Sequence, residues 1–205
     1  MSELIIQEKV IDNIKGKAIS KTANDQNTDD IVPARYLKEI TFEKMGEYVY
    51  IDERIKDGNK VEEHPFNKSG ASEAKILLAG ANYGCGSSRE HAPQALHKFG
   101  INAIIAESFA EIFAGNCASL GVVCVTVSSE IISKLAEYLE KNPLAELEID
   151  LNKKMITCGE EKIEFDMPEG RRQAFLKGTW DAMAILQQDK EGIKKIEDNL
   201  EYLSY

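Results

Sequence analysis

Short apolar runs alternate with amphipathic segments through the middle of the chain. Three runs rich in aliphatic and β-branched residues lie at 75–81, 101–106 and 121–127. Their length favours buried strands, although periodicity alone does not separate a buried strand from a buried helix segment. A helix-start signal or a helical period follows each run, at 90–99, 108–116 and 129–141. This spacing predicts β-α-β units with right-handed crossovers and a largely parallel core sheet.

The two ends of the chain carry weaker patterns. Residues 4–20 alternate loosely and predict one or two strands, while residues 144–165 predict three short strands that turn at Asn152 and Gly159. Helices are expected at 168–176, 180–188 and in the charged terminal stretch. We therefore expect one α/β domain over residues 1–205, with mixed parallel and antiparallel sheets and a helical extension at 189–205.

A charged segment at 41–70 interrupts this alternation. Three glycines and one proline break it, namely Gly46, Gly58, Pro65 and Gly70. The composition predicts a short helix within an irregular, mobile excursion that spans residues 36–72. We expect His64, in this excursion, to lie at the surface rather than to act as a ligand.

The composition is ordinary for a soluble globular protein, with 43% hydrophobic and 29% charged residues among 205. The net charge of −10 argues against a duplex nucleic-acid partner and against an anionic membrane surface. No apolar run approaches the roughly 20 residues of a membrane helix. The first residues lack the cationic start and apolar core of a secretion signal. We expect a cytoplasmic protein with no membrane partner.

The four cysteines, Cys85, Cys117, Cys124 and Cys158, include no C-x-x-C pair. Their spacing indicates a reduced compartment rather than a disulfide framework. It also argues against an iron–sulfur cluster in this chain, because such clusters use closely spaced thiolates. We assign no metal ligand, and we interpret Cys117 and Cys124 as small core residues.

The most distinctive stretch reads NYGCGSSREH and occupies residues 82–91. Glycines on both sides of Cys85 allow backbone angles that other residues avoid, and they let a ligand approach closely. A glycine-rich turn before a helix N-terminus presents backbone N–H groups to an anion. Ser87 and Ser88 add hydroxyls, and Arg89 adds a guanidinium that holds a carboxylate with two bonds. The stretch predicts a pocket for a small carboxylate or phosphate.

Two nucleotide motifs are excluded here, and one structural alternative stays open. The dinucleotide fingerprint needs a third glycine at position 89, and no Gly-Lys-Ser/Thr follows for a Walker A loop. Ser87 and Glu90 have the spacing of a capping box, which would only satisfy free helix N–H groups and carries about equal weight. Pro93 favours a regular helix start nearer Glu90 than Ser88.

The run YGCGSSREHAP at residues 83–93 resembles the signature of the small subunits of 3-isopropylmalate dehydratase, hydro-lyases of leucine biosynthesis in the aconitase superfamily. The resemblance extends over about residues 24–188 and implies the swivelling β/β/α domain of that superfamily. It implies that Ser87 is the catalytic base, that Ser88 and Arg89 bind a substrate carboxylate, and that Cys85 and Gly86 contact substrate.

The resemblance also implies a partner and a cofactor outside this chain. A large subunit would hold a [4Fe–4S] cluster whose iron acts as a Lewis acid on the leaving hydroxyl. This small subunit would close the active site, and the substrate would be a 2-substituted malate.

Residues 27–33 are similar to the family's Asp-Thr-Asp-x-Ile-Ile-Pro element at the substrate pocket. Thr28 and Asp29 match the pattern and are carried over as substrate-binding residues, while Asn27 replaces the first Asp. Without the resemblance, the stretch is interpreted as a solvated loop. Ser108 follows the second apolar run, and we expect it to cap the next helix.

Arg35 and Lys38 fall where the family reads the variable arm of the substrate, and both are predicted to contact it. An isopropyl arm would favour an apolar residue at this position. The cationic Lys38 either pairs with the extra carboxylate of a longer acid or extends into water, the commoner behaviour of lysine.

Three functions are compatible with these residues. The first is a hydro-lyase small subunit for isopropylmalate, with homoaconitase or a citraconate- or methylmalate-type dehydratase as the alternative substrate class. The second is a non-catalytic anion-binding module. The third is an enzyme with a Cys85 nucleophile and His91 as its base, which needs a geometry that sequence neighbours need not have.

Overall fold

The computed structural model describes residues 9–39, 41–87, 89–186 and 190–200. Within these ranges the strands are β1 (Asn13–Lys21), β2 (Ile55–Lys56), β3 (Asn59–Lys60), β4 (Ala74–Ala79), β5 (Ala103–Ala106), β6 (Val123–Thr126), β7 (Glu146–Asp150), β8 (Met155–Cys158) and β9 (Glu161–Glu164). The α-helices are α1 (Thr28–Ile31), α2 (Ile51–Arg54), α3 (His91–Phe99), α4 (Glu111–Ser119), α5 (Ser129–Lys141), α6 (Glu169–Lys177), α7 (Ala182–Leu186) and α8 (Lys190–Asp198). Short 3-10 helices lie at Ala34–Lys38, Met45–Tyr48, Pro65–Asn67 and Ala71–Glu73.

One mixed sheet contains seven strands in the order β6-β5-β4-β1-β7-β8-β9. Its first half is parallel, from β6 to β1, and its second half is antiparallel, from β1 to β9. The central strands β4 and β5 are buried almost throughout, which explains their continuous apolar sequence. In β7 buried and more exposed residues alternate. The α/β class with mixed pairing that the sequence predicts is confirmed.

The sheet separates two hydrophobic cores, and β4 supplies side chains to both. Leu77 and Ala79 enter the first core, whereas Ile76 and Leu78 enter the second, because successive strand residues point to opposite faces. Helices α3 and α4 cover the first core, and α5 and α6 cover the second. The site described below is built on the side of the first core.

The excursion predicted at 36–72 is irregular, but it is anchored in the first core. Met45 and Tyr50 are fully buried, and Phe66 packs in the same cluster. His64 is only 8% exposed, so the expectation of a surface position is wrong. Its ring lies in tilted contact with the rings of Tyr50 and Phe66. These buried residues follow neither a helical nor a strand period, so the sequence pattern did not reveal them.

The first described residue, Lys9, contacts the segment that precedes α7. Trp180 Nε1 donates a hydrogen bond to the Lys9 carbonyl oxygen at 2.7 Å. Helix α8 lies within the extension predicted at 189–205, whereas residues 1–8, 187–189 and 201–205 fall outside the described ranges. Among the helices of the described ranges, none has both the length and the apolar character that a membrane span requires.

Candidate active site

The glycine-rich stretch lies at the carboxyl end of the parallel half of the sheet, where segments that follow β1, β4 and β5 meet. Asn27 forms a parallel bridge with Cys85, and Tyr83 forms one with Phe109. The Thr28 N–H donates to the Cys85 carbonyl oxygen at 2.9 Å. Open α/β sheets present ligands at the carboxyl ends of their parallel strands. The position therefore suits the predicted pocket.

Residues 84–87, called the serine turn below, need both of their glycines. Gly84 has a φ of 76°, and a Cβ there would lie 2.1 Å from Cγ of Phe113. Gly86 has a φ of 94°, and a Cβ there would lie 3.5 Å from Oγ1 of Thr28. Glycine adopts such left-handed backbone angles without steric cost. The turn is thus packed closely against α4 at Gly84, whereas at Gly86 the backbone angle is what requires glycine.

Ser87 faces Thr28, the first residue of α1. The Thr28 hydroxyl donates to the Ser87 carbonyl oxygen at 3.1 Å and accepts from the Ser87 N–H at 3.2 Å. The two side-chain oxygens are 3.4 Å apart. Thr28 is 3% exposed, whereas Ser87 is partly exposed. One buried hydroxyl therefore holds the main chain of Ser87 and leaves its side chain within reach of a ligand.

The capping-box interpretation of Ser87 and Glu90 is wrong. Helix α3 begins at His91, and Glu90 occupies the N-cap position without a side-chain cap bond. The Glu90 carboxylate instead accepts from Gln94 Nε2 at 2.8 Å. Pro93 is the third helical residue, where the N–H has no intrahelical partner, so the predicted start near Glu90 is confirmed. The Ser87 hydroxyl is not used by the helix.

Arg89 and Asp29 form an ion pair beside the serine turn. Arg89 Nη1 donates to Asp29 Oδ1 at 2.7 Å, with the two side chains 39% and 55% exposed. A single nitrogen of the guanidinium makes this bond, and the Arg89 side chain stays partly exposed. The pair brings together two of the residues that the sequence predicts to bind substrate.

Asn27 caps α1 with its side chain. Its Oδ1 accepts from the N–H groups of Asp29 and Asp30 at 2.8 and 2.9 Å, and its own N–H donates to the Asp30 carboxylate at 3.0 Å. Asn and Asp are equally good N-cap residues. The departure from Asp at this position therefore preserves the turn that places Thr28 and Asp29.

Arg35 and Lys38 occupy one 3-10 helix and are both exposed. The Arg35 guanidinium forms two bonds with the Asp52 carboxylate and lies 4.7 Å from the centroid of the Tyr36 ring. The pairing raises the pKa of Arg35 and lowers the pKa of Asp52. Within the described residues, no hydrogen bond or ion pair links Arg35 or Lys38 to the serine turn. Ser88 lies outside the described residues.

Cys85 and His91 are not arranged as a nucleophile and its base. The Cys85 thiol donates to the Asp25 carbonyl oxygen at 3.3 Å. Burial, together with the nearby carboxylates of Asp25 and Asp30, raises the pKa of Cys85. The His91 ring packs edge-on against Phe42, with 5.2 Å between centroids. These contacts argue against an activated thiolate, which needs a lowered pKa.

The cysteines do not fit an iron–sulfur cluster. Cys117 and Cys124 are buried in the first core, as the sequence predicts, whereas Cys158 is buried in the second. Thiolates that hold a cluster must converge on it. In the part of the chain that the structure describes, no group of three or more His, Cys, Asp or Glu residues could hold a metal ion.

The sequence misassigned Ser108 and gave no sign of two buried residues behind the turn. Helix α4 begins at Glu111 without a side-chain cap, and the Ser108 hydroxyl instead accepts from the Asn82 N–H at 2.8 Å. Gln26 and Tyr50 are 4% and 0% exposed and share a hydrogen bond of 2.8 Å. Gln26 lies in a polar stretch that is typical of a surface loop, so no sequence signal marks it as buried.

Comparison with known proteins places these features in a family. The aconitase C-terminal domain family model matches residues 8–130. A 3-isopropylmalate dehydratase small subunit from Synechocystis is 40% identical over 195 residues, which cover 95% of this chain and 96% of that protein. This chain belongs to the 3-isopropylmalate dehydratase small-subunit family. The resemblance seen in residues 83–93 is thereby confirmed.

Two further relatives agree with this assignment. A 3-isopropylmalate dehydratase small subunit from Thermus thermophilus is 40% identical over 189 residues, which cover 92% of this chain and 94% of that protein. The crystal structure of a 3-isopropylmalate dehydratase from Methanocaldococcus jannaschii superposes with a TM-score of 0.63 at 28% identity. It covers 87% of this chain and 99% of that one. The small-subunit family assignment therefore extends over most of the described fold.

Proposed function

We propose that this small subunit works with a large subunit to interconvert 2-isopropylmalate and 3-isopropylmalate in leucine biosynthesis, by removal and re-addition of water. The relatives described above support the reaction class. The contact between Thr28 and Ser87 carries the assignment of the base, because it presents a serine hydroxyl that no helix cap consumes.

In this proposal Ser87 Oγ takes the carbon-bound proton of the substrate. A free serine hydroxyl is too weak an acid to provide an alkoxide at neutral pH, so donors that favour the charged form must lower its pKa. Thr28 can turn its proton from the Ser87 carbonyl oxygen toward Ser87 Oγ, since both lie within 3.4 Å of Thr28 Oγ1. Arg89 adds a positive charge two residues further along the chain.

The remaining residues of the turn bind substrate in this proposal. Arg89 holds one carboxylate, and Asp29 orients the guanidinium when substrate is absent. Ser88 supplies a second hydroxyl, and the main chain at Cys85 and Gly86 approaches the ligand closely. A guanidinium suits this task because its planar fork matches the two oxygens of a carboxylate.

We assign the [4Fe–4S] cluster of the proposed enzyme to the large subunit, because the thiols of this chain are dispersed over two cores and one turn. We also propose that the enzyme is cytoplasmic and binds neither nucleic acid nor membrane, in keeping with its net charge of −10. The chain would then complete an active site that it cannot form alone.

The variable arm of the substrate has an alternative to the isopropyl group. The charge of Arg35 is already paired with Asp52, which leaves Lys38 as the cation of that 3-10 helix with no ion pair among the described residues. An isopropyl arm needs no cation, whereas the additional carboxylate of homoaconitate would pair with one. Isopropylmalate remains our first choice, and a homoaconitate or methylmalate substrate is the alternative.

Reconstitution with the large subunit tests this function. The two purified chains, separately and together, are assayed with 2-isopropylmalate, 2-methylmalate and homocitrate. We expect turnover only when both chains are present, and the highest kcat/KM with isopropylmalate. A preference for homocitrate would support the alternative arm. Turnover by this chain alone, or ligand binding without turnover by the complex, would contradict the proposal.

A further inference from the structure

A buried hydrogen-bond chain lies behind the serine turn and contains Tyr50, Tyr83 and Gln26. The Tyr50 hydroxyl lies 2.8 Å from Gln26 Oε1 and 2.7 Å from the Tyr83 hydroxyl. Both tyrosines are fully buried and Gln26 is 4% exposed. Burial raises the pKa of both phenols, so both keep their protons at neutral pH.

The direction of each bond follows from the partners. Gln26 Nε2 donates to the carbonyl oxygens of Lys21 and Ala23 at 2.8 and 2.9 Å, which fixes the amide oxygen toward Tyr50. An amide oxygen only accepts, so the Tyr50 hydroxyl donates its single proton to Gln26. Tyr83 must then donate to Tyr50. Every bond in the chain has one available direction, which makes the arrangement specific.

The chain of bonds connects the two segments that form the site. Gln26 precedes Thr28 by two residues, and its carbonyl oxygen accepts from the Gly84 N–H at 2.8 Å. Tyr83 directly precedes Gly84, the first residue of the serine turn. The Tyr50 hydroxyl therefore joins the segment that carries Thr28 to the segment that carries Ser87.

Tyr50 is itself held firmly. Its N–H donates to the Ile31 carbonyl oxygen at 2.8 Å, and its φ is 49°. The ring centroid lies 5.1 Å from that of Phe66 and 4.5 Å from the Lys21 ammonium nitrogen. A side chain restrained at both ends can set the distance between the two groups it bonds.

We propose that Tyr50 is a positioning residue for the reaction: its hydroxyl fixes Gln26 against Tyr83 and so sets the distance between Thr28 and Ser87. The inference rests on the proposed function of Ser87. Tyr50 touches no reacting atom and acts only through the two segments.

The test is Tyr50→Phe in the complex with the large subunit, assayed with 2-isopropylmalate below the Tm. Without the hydroxyl, Gln26 and Tyr83 lose their buried partner, and the two segments are held together only by their main-chain bonds and by the Thr28 hydroxyl. We expect kcat to fall about tenfold or more while KM changes less than about threefold, since small displacements of a base affect chemistry more than binding. A kcat within about twofold of wild type would overturn the inference.

A double-mutant cycle separates positioning from general destabilisation. Tyr83→Phe and the double variant are measured beside Tyr50→Phe, and the double variant should lose little more kcat than Tyr50→Phe alone. If the kcat losses of the two single variants add in the double variant, the proposed hydrogen-bond chain is overturned. Tyr83→Phe breaks the bond between Tyr50 and Tyr83 but keeps the bond between Tyr50 and Gln26. Its kcat therefore tests the same inference if Tyr50→Phe fails to assemble.

Two controls complete the experiment. Tyr138→Phe removes a hydroxyl beside the second core, and Ile156→Val lowers the Tm from within that core, so both should leave kcat unchanged. Ser87→Ala in the same complex separates a failure of the positioning inference from a failure of the proposed function. If Ser87→Ala abolishes turnover and Tyr50→Phe does not affect it, only the positioning inference fails; if Ser87→Ala retains turnover, the proposed function fails.

Discussion

Thr28 holds Ser87 through one buried hydroxyl, and Thr28→Val removes that hydroxyl while it keeps the shape of the side chain. The Ser87 N–H loses its acceptor and the proposed alkoxide loses a donor. We expect kcat of the assembled enzyme to fall about 10- to 100-fold. Steady-state kinetics with 2-isopropylmalate measure this loss.

Thr126→Val is the matched control, because the Thr126 hydroxyl donates to the Asp166 carbonyl oxygen at 3.2 Å, outside the site. The control should change kcat less than about twofold, as expected for a change that touches no reacting group. Equal losses in the two variants would show that Thr28 has no special role.

Arg89 is predicted to hold a substrate carboxylate with its planar fork. Arg89→Lys keeps the charge but cannot form two parallel bonds, so we expect KM to rise about tenfold. Arg172→Lys is the control, since Arg172 forms an ion pair with Glu169 on α6, outside the site. An unchanged KM in Arg89→Lys would assign Arg89 to the ion pair with Asp29 alone.

The candidate site residues that the sequence singled out lie in short, unusual runs. Ser87 and Arg89 were singled out by a glycine-rich turn before a helix together with the family resemblance. The structure places them beside Thr28 and Asp29, and their roles stay predictions. Tyr50 was not identified, because its partners lie 24 and 33 residues away in sequence. Local patterns do not encode such distant pairings.

The serine turn depends on one glycine, Gly84, that packs against α4. Gly84→Ala would place a methyl group 2.1 Å from Phe113 at a φ of 76°. We expect the free energy of unfolding to decrease by about 2–4 kcal/mol, from backbone strain and overpacking together. Chemical denaturation measures this change, and the remaining folded enzyme should have a reduced kcat.

Gly170→Ala serves as the comparison for that variant. Gly170 lies in α6, and apart from its own helix backbone no atom lies within 4 Å of an added Cβ. Alanine should stabilise this helix by about 0.5–1 kcal/mol. If Gly84→Ala behaved in the same way, the close approach of the turn to α4 would be wrong.

The buried excursion gives a pH-dependent prediction. Burial lowers the pKa of His64 below its ordinary value of 6.5. Between 6.5 and that lower value the unfolded chain binds a proton that the native state does not, so stability falls as the pH falls through this window. His64→Asn removes the titration but retains an acceptor for the Phe66 N–H.

Tm values of wild type and His64→Asn from pH 8 to pH 5 check this prediction over a window that brackets the ordinary histidine value. Relative to pH 8, the wild type should lose more stability than the variant as the solution becomes acidic. Parallel curves would contradict a buried, mostly neutral His64.

Elements were predicted with uneven success for physical reasons. Strands β4 and β5 were located because a strand buried on both faces has a continuous apolar sequence. The Ser-x-x-Glu pattern at Ser108 was interpreted as a helix cap, and the pattern at Ser87 left a cap as an equal alternative, yet α3 and α4 begin at His91 and Glu111. The spacing that suits a cap also suits a turn whose hydroxyl bonds to a neighbouring segment.

For the whole molecule, the sequence predicted the class of the fold but not its strand order. The parallel half of the sheet was predicted from the alternation of strands and helices along the sequence. The position of β1 between β4 and β7 does not, because both pairings join residues distant in sequence, such as Ile19 with Leu77 and Ile14 with Ile149. The family resemblance supplied the architecture that the local pattern left undetermined.

The central claim is that Ser87, and not Cys85, removes the substrate proton in a site completed by a second chain. The most direct measurement compares kcat of Ser87→Ala and Cys85→Ala in the assembled enzyme, with substrate affinity measured separately. We predict a loss of about 10²- to 10⁴-fold for Ser87→Ala and a loss below about tenfold for Cys85→Ala, with substrate still bound by both. Retained turnover in Ser87→Ala together with its loss in Cys85→Ala would contradict the account.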